Sequence, residues 1–442
     1  MYLKELTLTN VRAITSLQLT LPSESSESKL TMLLGENGCG KSTVLKAIAL
    51  LLSGSDALID LLPDPESWIK KGHSTCLISG VFSLVDGSEV SASLAILRGD
   101  TVRKVLLRNR ESLSMIDREI ERSADRIFVA GYGVARRPPP TDKYATYRDK
   151  RFSSERVRAV GSMFSSDFSL ISVEQWAFDL DYRQGTVGRK LVTNTLNKLL
   201  PGIHLEKFDK KRGSLIFRTP DGLISYDDLS DGYRSMAAWC GDLLYRLTSQ
   251  FEFLKEPQLV TGILLVDEID LHLHPIWQRQ LIQFLSRAFP NLHIIATTHS
   301  VFAAQQCKEG ELFVMQRATP DQAPAILPFQ GDPEKFLLHQ IMLSPMFGIP
   351  SLDSVEVETM RNEYAHLAKT PRSERSNDDE SRLRKLKSEL SDLPDWDLVP
   401  RYEREQTVLI KEIRTLLRDQ GAPTRVSPKK VQERIKAMNA KK

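Results

Sequence analysis

Gly35-Glu36-Asn37-Gly38-Cys39-Gly40-Lys41-Ser42 is the stretch that decides the fold. It satisfies the pattern GxxxxGK[ST] in full. It follows the short apolar run Leu30 to Leu34, which reads as a buried strand, and precedes Ser42 to Leu52, whose apolar spacing reads as a helix. In that context the glycines let backbone N–H groups wrap phosphates, and the helix N-terminus adds partial positive charge. Lys41 is expected to reach the β- and γ-phosphates of ATP, and the Ser42 hydroxyl to bind Mg²⁺. The expected nucleotide-binding residues of the loop are Gly35, Asn37, Gly38, Cys39, Gly40, Lys41, Ser42 and Thr43.

Downstream, Ile263-Leu264-Leu265-Val266-Asp267-Glu268 delivers two acids at the carboxyl end of an apolar strand, where open α/β sheets place ligands. Asp267 is expected to help hold the Mg²⁺, and Glu268 to orient or deprotonate the attacking water. A second apolar strand, His293 to Thr297, follows a helix from Ile276 to Ala288. Strand, helix, strand with apolar strands means a parallel sheet buried on both faces. The second strand ends in Thr297-Thr298-His299-Ser300, where His299 is expected to sense the γ-phosphate. Leu229-Ser230-Asp231-Gly232-Tyr233-Arg234 opens a helix expected over Asp231 to Gln250. Ser230 offers a hydroxyl and an N-cap, and Gly232 permits close backbone approach, so a further anion site is available there.

The rest of the chain supplies context. Tyr2 to Asn10 and Ile14 to Leu21 alternate as a half-buried antiparallel pair. Leu77 to Val85 and Glu89 to Leu97 read as a hairpin turning at Asp86-Gly87, and Arg126 to Ala130 as a further strand. Residues 134–165, with Pro138 to Pro140, read as a basic loop or arm. Helices are expected over Phe168 to Arg183 and Gly188 to Leu200, and short strands between His204 and Tyr226. From Pro333 the chain reads as helical and polar, with a charged linker over Lys369 to Glu380. Residues 401–442 hold 12 Lys/Arg against 5 Asp/Glu. Hydrophobic residues at 41% and charged residues at 26% of 442 exclude wholesale disorder. No apolar run approaches the length of a membrane-spanning helix, and no membrane association is expected. The four cysteines are far apart, which suits the cytoplasm and no zinc site. A net charge of +3 does not by itself imply a nucleic-acid binder.

The four motifs, in this order, resemble the ATP-binding cassette (ABC) ATPases of the structural-maintenance, DNA-repair and overcoming-lysogenization-defect type. Asn10-Val11-Arg12 is similar to the Asn-Phe-Arg element of their N-termini, which makes Arg12 a candidate nucleotide contact. Asp267-Glu268 through His272-Leu273-His274-Pro275 is similar to their Asp-Glu-x-x-x-His-Leu-His-Pro segment. The resemblance covers roughly residues 1–50 and 225–330. It implies that Ser230 and Gly232 contact the γ-phosphate held by an opposite protomer in a head-to-tail dimer. It also implies that His299 is the switch histidine and that Asp270 reaches the dimer interface. The implied fold is α/β, an ABC-type P-loop NTPase with a mixed central sheet. An antiparallel lobe-one sheet, a helical insertion with a basic arm over about 134–225, and a helical C-terminal region complete it. The implied domains are 1–330 for the ATPase and 331–442 for the helical region with its basic tail.

Three features depart from that pattern. No glutamine lies between Lys41 and Gln175, so the lobe-one glutamine of standard cassettes has no counterpart there; Arg136 is the candidate substitute. No heptad array separates Lys41 from Leu229, so no long coiled coil is expected. After residue 330 the one Asp-x-Asp, Asp395-Trp396-Asp397, follows Leu393-Pro394 rather than an apolar strand, so a toprim nuclease is not expected. A cassette without either part resembles the ATPase subunits of two-gene bacterial anti-phage systems. In PARIS and Septu systems these partner a separate toprim or HNH nuclease. The expected activity is slow, regulatory ATP hydrolysis. Two alternatives stay open. Arg361 and His366 match the Arg-polar-x-x-x-His pattern of HEPN ribonucleases, which would make the chain an ATPase fused to a nuclease. A DNA-repair or recombination-type clamp is the other. The basic cluster Arg148, Lys150, Arg151, Arg156 and Arg158, set among Tyr144, Tyr147 and Phe152, is either a solvated arm or a contact for nucleic acid or an acidic partner.

Overall fold

The computed structural model describes residues 1–21, 29–123, 126–136, 154–200, 202–251, 260–271, 273–317, 322–344, 347, 351–371 and 374–391. Its contacts divide the chain into two units, Met1–Leu352 and Asp353–Lys442. The first unit is built on a six-stranded sheet. Its members are β3 (Leu30–Gly35), β6 (Ile127–Tyr132), β10 (Thr261–Val266), β11 (Leu292–Thr298), β12 (Leu312–Gln316) and β13 (Ala325–Pro328), in the order β13-β12-β3-β11-β10-β6. All neighbours pair in parallel except β12 and β13. Every residue of β11 is buried, as expected of a strand covered on both faces.

The two-residue pleat sorts these strands between two cores. Leu264 and Val266 of β10, with Ile294 and Ala296 of β11, face one cluster; Ile263, Leu265 and Ile295 face the other. The first cluster is closed by α4 (Val173–Gln184), α5 (Thr186–Leu199), α6 (Asp231–Gln250) and α7 (Pro275–Ala288), with the antiparallel sheet β7 (His204–Asp209), β8 (Ser214–Thr219) and β9 (Gly222–Ser225). The second is closed by α1 (Lys41–Leu61) and by a second antiparallel sheet of β1 (Tyr2–Val11), β2 (Ile14–Thr20), β4 (Thr75–Ser83) and β5 (Glu89–Leu97), ordered β2-β1-β4-β5. The expected mixed sheet and antiparallel lobe-one sheet are therefore present.

Several bounds differ from the sequence reading, each for a tertiary reason. Helix α1 continues past Leu52 to Leu61 across a kink at Gly54 (φ 69°), where a Cβ would lie 1.9 Å from Asp117 Oδ1. Asp117 instead accepts from the backbone N–H and hydroxyl of Ser55 and so starts the helix afresh. Asp117 belongs to α2 (Val102–Arg122), a helix the sequence reading does not contain. Only a narrow stripe of α2 is buried, and Asn109 on it exchanges hydrogen bonds with the Ala95 N–H and C=O of β5. That contact covers a strand edge, which local periodicity does not reveal. The first unit also runs past residue 330: Phe336 packs edge-on against Phe329, Gln305 donates to the Phe336 carbonyl, and Ile341 is buried.

In the second unit, α10 (Val355–Lys369) ends at its C-cap Thr370, and α11 (Asn377–Ser391) follows it in the chain. Of the expected charged linker over Lys369 to Glu380, Lys369 closes α10 and Asn377 to Glu380 open α11. Asn377 to Glu380 form the first turn of α11, where three acids suit the helix dipole. Arg382 grips Glu363 through two N–H donors, and Leu386 is buried.

Candidate functional site

The loop between β3 and α1 is shaped by its glycines. A Cβ on Gly35 would lie 2.2 Å from the Met315 carbonyl oxygen of β12, and Gly40 adopts φ 95° as the N-cap of α1. Lys41 is buried, and its ammonium donates to the carbonyls of Gly35 (2.9 Å) and Glu36 (2.8 Å). Asn37 and Gly38 are exposed, Ser42 is half-buried, and Cys39 and Thr43 are buried beneath the loop. Burial lowers the Lys41 pKa, opposed by the charges of Cys39, Asp267, Glu268 and Asp270. The three carboxylates at the end of β10 therefore act on the same ammonium.

Strand order explains that meeting: β10 is separated from β3 by β11 alone, and all three end on the same side of the sheet. Asp267 is buried, and its Oδ1 accepts from the Thr297 hydroxyl at 2.6 Å. The same Thr297 oxygen accepts from the Glu268 N–H at 2.7 Å, and the Thr297 carbonyl accepts from the Ile269 N–H at 2.9 Å. Glu268 sits at φ 47°, in the left-handed region that non-glycine residues rarely occupy. Thr298 donates to Asp270 Oδ1 at 2.5 Å, and Ser300 donates to Gln278 and caps the turn that follows. His299 is exposed beside this cluster. Partial burial and then the Lys41 cation lower its pKa, opposed by Glu268, Asp270 and Asp267. The imidazole is neutral at neutral pH.

Arg12 lies at φ 52°, in the two-residue turn between β1 and β2, with its guanidinium 4.4 Å from the centre of the Trp68 ring. Lys46, one turn beyond Ser42, has its pKa lowered by burial and by Arg12, while Asp267 opposes the shift. Lys46 thus stands within electrostatic reach of both Arg12 and Asp267. Arg317 donates to the Gly38 carbonyl at 3.3 Å. Ser230 is the exposed N-cap residue of α6, but its side chain makes no cap hydrogen bond, so the expected side-chain cap is not formed. Gly232 is half-buried in the first turn of that helix.

Arg136 is fully inside. Its Nε donates to the Gly133 carbonyl at 3.1 Å, and Nη2 donates to the carbonyls of Asp267 and of Glu268, the latter at 2.7 Å.

Other candidates are placed elsewhere. His274 Nδ1 accepts from the Ile276 N–H and caps α7, while His272 lies outside the described residues. Arg361 pairs with Asp353 at 2.7 Å; it and His366 stand five positions apart on α10, about 140° around a helix, so they do not share a face. Val357, Met360, Tyr364 and Leu367 are half-buried along the same helix, the spacing of a packing face. Arg156 belongs to α3 (Glu155–Val160), not to a free arm: it is paired with Asp117 and lies 3.6 Å from Glu121. Arg148, Lys150, Arg151, Asp395, Asp397 and the tail 401–442 lie outside the described residues. No helix among the described residues is long and apolar enough to cross a membrane.

Thr297 and Thr298 are the residues that sequence reasoning passed over. Their signal lay in the quoted motif: a hydroxyl ending a strand parallel to β10 stands next to the acids ending β10.

Known proteins match the chain in part. The family described as "AAA domain, putative AbiEii toxin, Type IV TA system" matches residues 84–304, half of the chain, and a second AAA-domain family matches residues 5–125. The chain is 25% identical to Septu protein PtuA of Bacillus mycoides (strain KBAB4) over 320 residues, 71% of this chain. It spans only 40% of the length of that relative. It is 32% identical to the Retron Ec83 probable ATPase of Escherichia coli over 133 residues, 30% of this chain and 24% of that protein. The SMC head domain from Thermotoga maritima aligns with a TM-score of 0.40 at 16% identity, covering 75% of this chain and 100% of that one.

Proposed function

Because the chain belongs to the AAA-domain family described as "putative AbiEii toxin, Type IV TA system", we propose that it is an ATP-binding and ATP-hydrolysing switch subunit of a bacterial anti-phage defence complex. The observation that carries the ATPase reading is one convergence. Lys41, Asp267, Glu268 and His299 act on one another at the carboxyl ends of neighbouring parallel strands. The likeness to Septu PtuA and to a retron ATPase supports the defence setting. The effector it controls is then a separate nuclease of toprim or HNH type.

The residues divide the work. Gly35, Gly38 and Gly40 let the loop turn its N–H groups to the phosphates, and Lys41 meets the β- and γ-phosphates. Mg²⁺ fits the donors present, which are hard oxygens: the Ser42 hydroxyl and the Asp267 carboxylate. Thr297 takes Asp267 Oδ1, and Oδ2 has no protein donor among the described residues. When bound, the ion neutralises charge on the phosphate oxygens. Glu268 orients the attacking water and accepts its proton, and neutral His299 reads the γ-phosphate. Ser230 and Gly232 serve the opposite protomer of a head-to-tail dimer. The exposed Ser230 hydroxyl, not engaged in capping its own helix, supports that role.

Calorimetric titration of ATP into the wild type and Lys41→Ala tests the reading. Binding should be lost or fall by more than about tenfold, because a buried cation facing the phosphates is removed. Near-wild-type affinity in a folded variant would overturn the assignment.

A further inference from the structure

We propose that Arg136 is a positioning residue that holds Glu268 in the conformation needed for hydrolysis and ties it to helix α6. The inference rests on reading Glu268 as the residue that orients the attacking water.

Glu268 occupies a left-handed backbone conformation. A non-glycine residue stays there only when its surroundings over-determine it. Four hydrogen bonds do so. Thr297 Oγ1 accepts from the Glu268 N–H. On the following peptide group, the Ile269 N–H donates to the Thr297 carbonyl, and the Glu268 carbonyl accepts from both the Leu271 N–H and Arg136, the one side chain that also reaches α6. Arg136 also donates to the Asp267 carbonyl and to that of Gly133. Three carbonyls thus converge on one planar guanidinium, whose forked donors match them. A lobe-one glutamine that reached for the γ-phosphate would point its polar end at the ligand. Arg136 instead turns to the backbone beneath the acids, so it is not a replacement in kind.

The other side of the guanidinium faces α6. Its carbon lies 5.4 Å from the centre of the Trp239 ring, within the range of a cation–π contact. Tyr132, whose carbonyl accepts from the Asp267 N–H, packs on the same ring and donates its hydroxyl to Asp242 of α6. Asp242 is further held by Arg246. Trp239 and Asp242 belong to the helix whose first residues are the proposed contact for the opposite protomer. A shift of α6 on dimer closure would therefore bear directly on Arg136 and, through it, on the turn at Glu268.

Single-turnover ATP hydrolysis and ATP binding would be measured for Arg136→Lys, Arg136→Met, Glu268→Gln and each Arg136 variant combined with Glu268→Gln. A positioning role predicts that kcat falls about tenfold or more in Arg136→Met and less in Arg136→Lys, while ATP affinity moves less than about threefold. It also predicts no further loss when either change is added to Glu268→Gln, because Arg136 acts only through that carboxylate. Arg136→Lys keeps a donor and a charge, so it carries the test where Arg136→Met does not fold. A wild-type rate in folded Arg136→Lys and Arg136→Met, a fall in ATP affinity as large as the fall in rate, or a full additional loss on Glu268→Gln would each overturn the proposal. A wild-type rate in Glu268→Gln alone would instead overturn the reading of Glu268, a result distinct from the first three.

Discussion

His293 should make the first unit acid-sensitive. The imidazole is fully buried on β11, between the two sheets. Its Nδ1 accepts from the Leu3 N–H of β1 at 3.2 Å, so Nε2 carries the proton and faces the Thr31 hydroxyl of β3 at 3.0 Å. Tyr2 stacks on the ring at 4.0 Å between centroids. Protonating Nδ1 would point one N–H at another and place a cation among apolar neighbours. Burial, helped by the N-terminal ammonium and Lys29, pushes the pKa down from 6.5 to about 3. Between those values the unfolded chain binds the proton and the native chain does not. The stabilisation is therefore complete above the unfolded value and is lost as pH falls from 6.5 towards 3. Between about pH 7 and about pH 5 the loss is about 2 kcal/mol, and it depends little on how far below 5 the native value lies. His293→Asn keeps an acceptor for Leu3 and removes the titration. Urea unfolding, followed by tryptophan fluorescence at both pH values, should show the wild type losing about 2 kcal/mol more than the variant across that interval. Equal losses, within about 0.5 kcal/mol, would refute the argument.

Glu268→Gln should keep ATP binding and lower turnover by about a hundredfold or more. Size-exclusion chromatography with ATP should then show a longer-lived dimer, whereas unchanged turnover would assign the water to another residue. Ser230→Arg should bind ATP through its own Lys41 but hydrolyse it poorly. Mixed in equal amounts with Lys41→Ala, it should recover about a quarter of wild-type turnover, since half the dimers hold one intact composite site. No recovery, with subunit exchange shown separately, rejects the shared site. Turnover should decline as pH falls through the lowered pKa of His299, because the imidazolium would oppose Lys41; His299→Gln should remove that limb of the pH profile.

The sequence alone determined the parts whose chemistry is local. The phosphate loop, the acid pair, His299 and the helix opened by Ser230 are each legible within about eight residues, because their spacing follows from how a strand hands over to a loop or a helix. The parallel core was legible too, since β10 and β11 carry near-continuous apolar runs, Ile263 to Val266 and Ile294 to Ala296, and are joined by an amphipathic helix. Tertiary structure alone decided what holds those parts in place. Thr297 reaches Asp267 only because β11 pairs in register with β10. Arg136 reaches the carbonyls of residues far along the chain only because β6 closes the sheet on the other side of β10. His293 is a neutral, buried joint between two sheets rather than a solvent-facing titrating group, and nothing in its neighbours along the chain says so. Helix α2 is held by Asn109 against a strand edge and by Asp117 against a kink in α1, contacts made across the fold. Hydrogen bonding and burial act between residues adjacent in space, and only pairing of distant strands makes those residues neighbours.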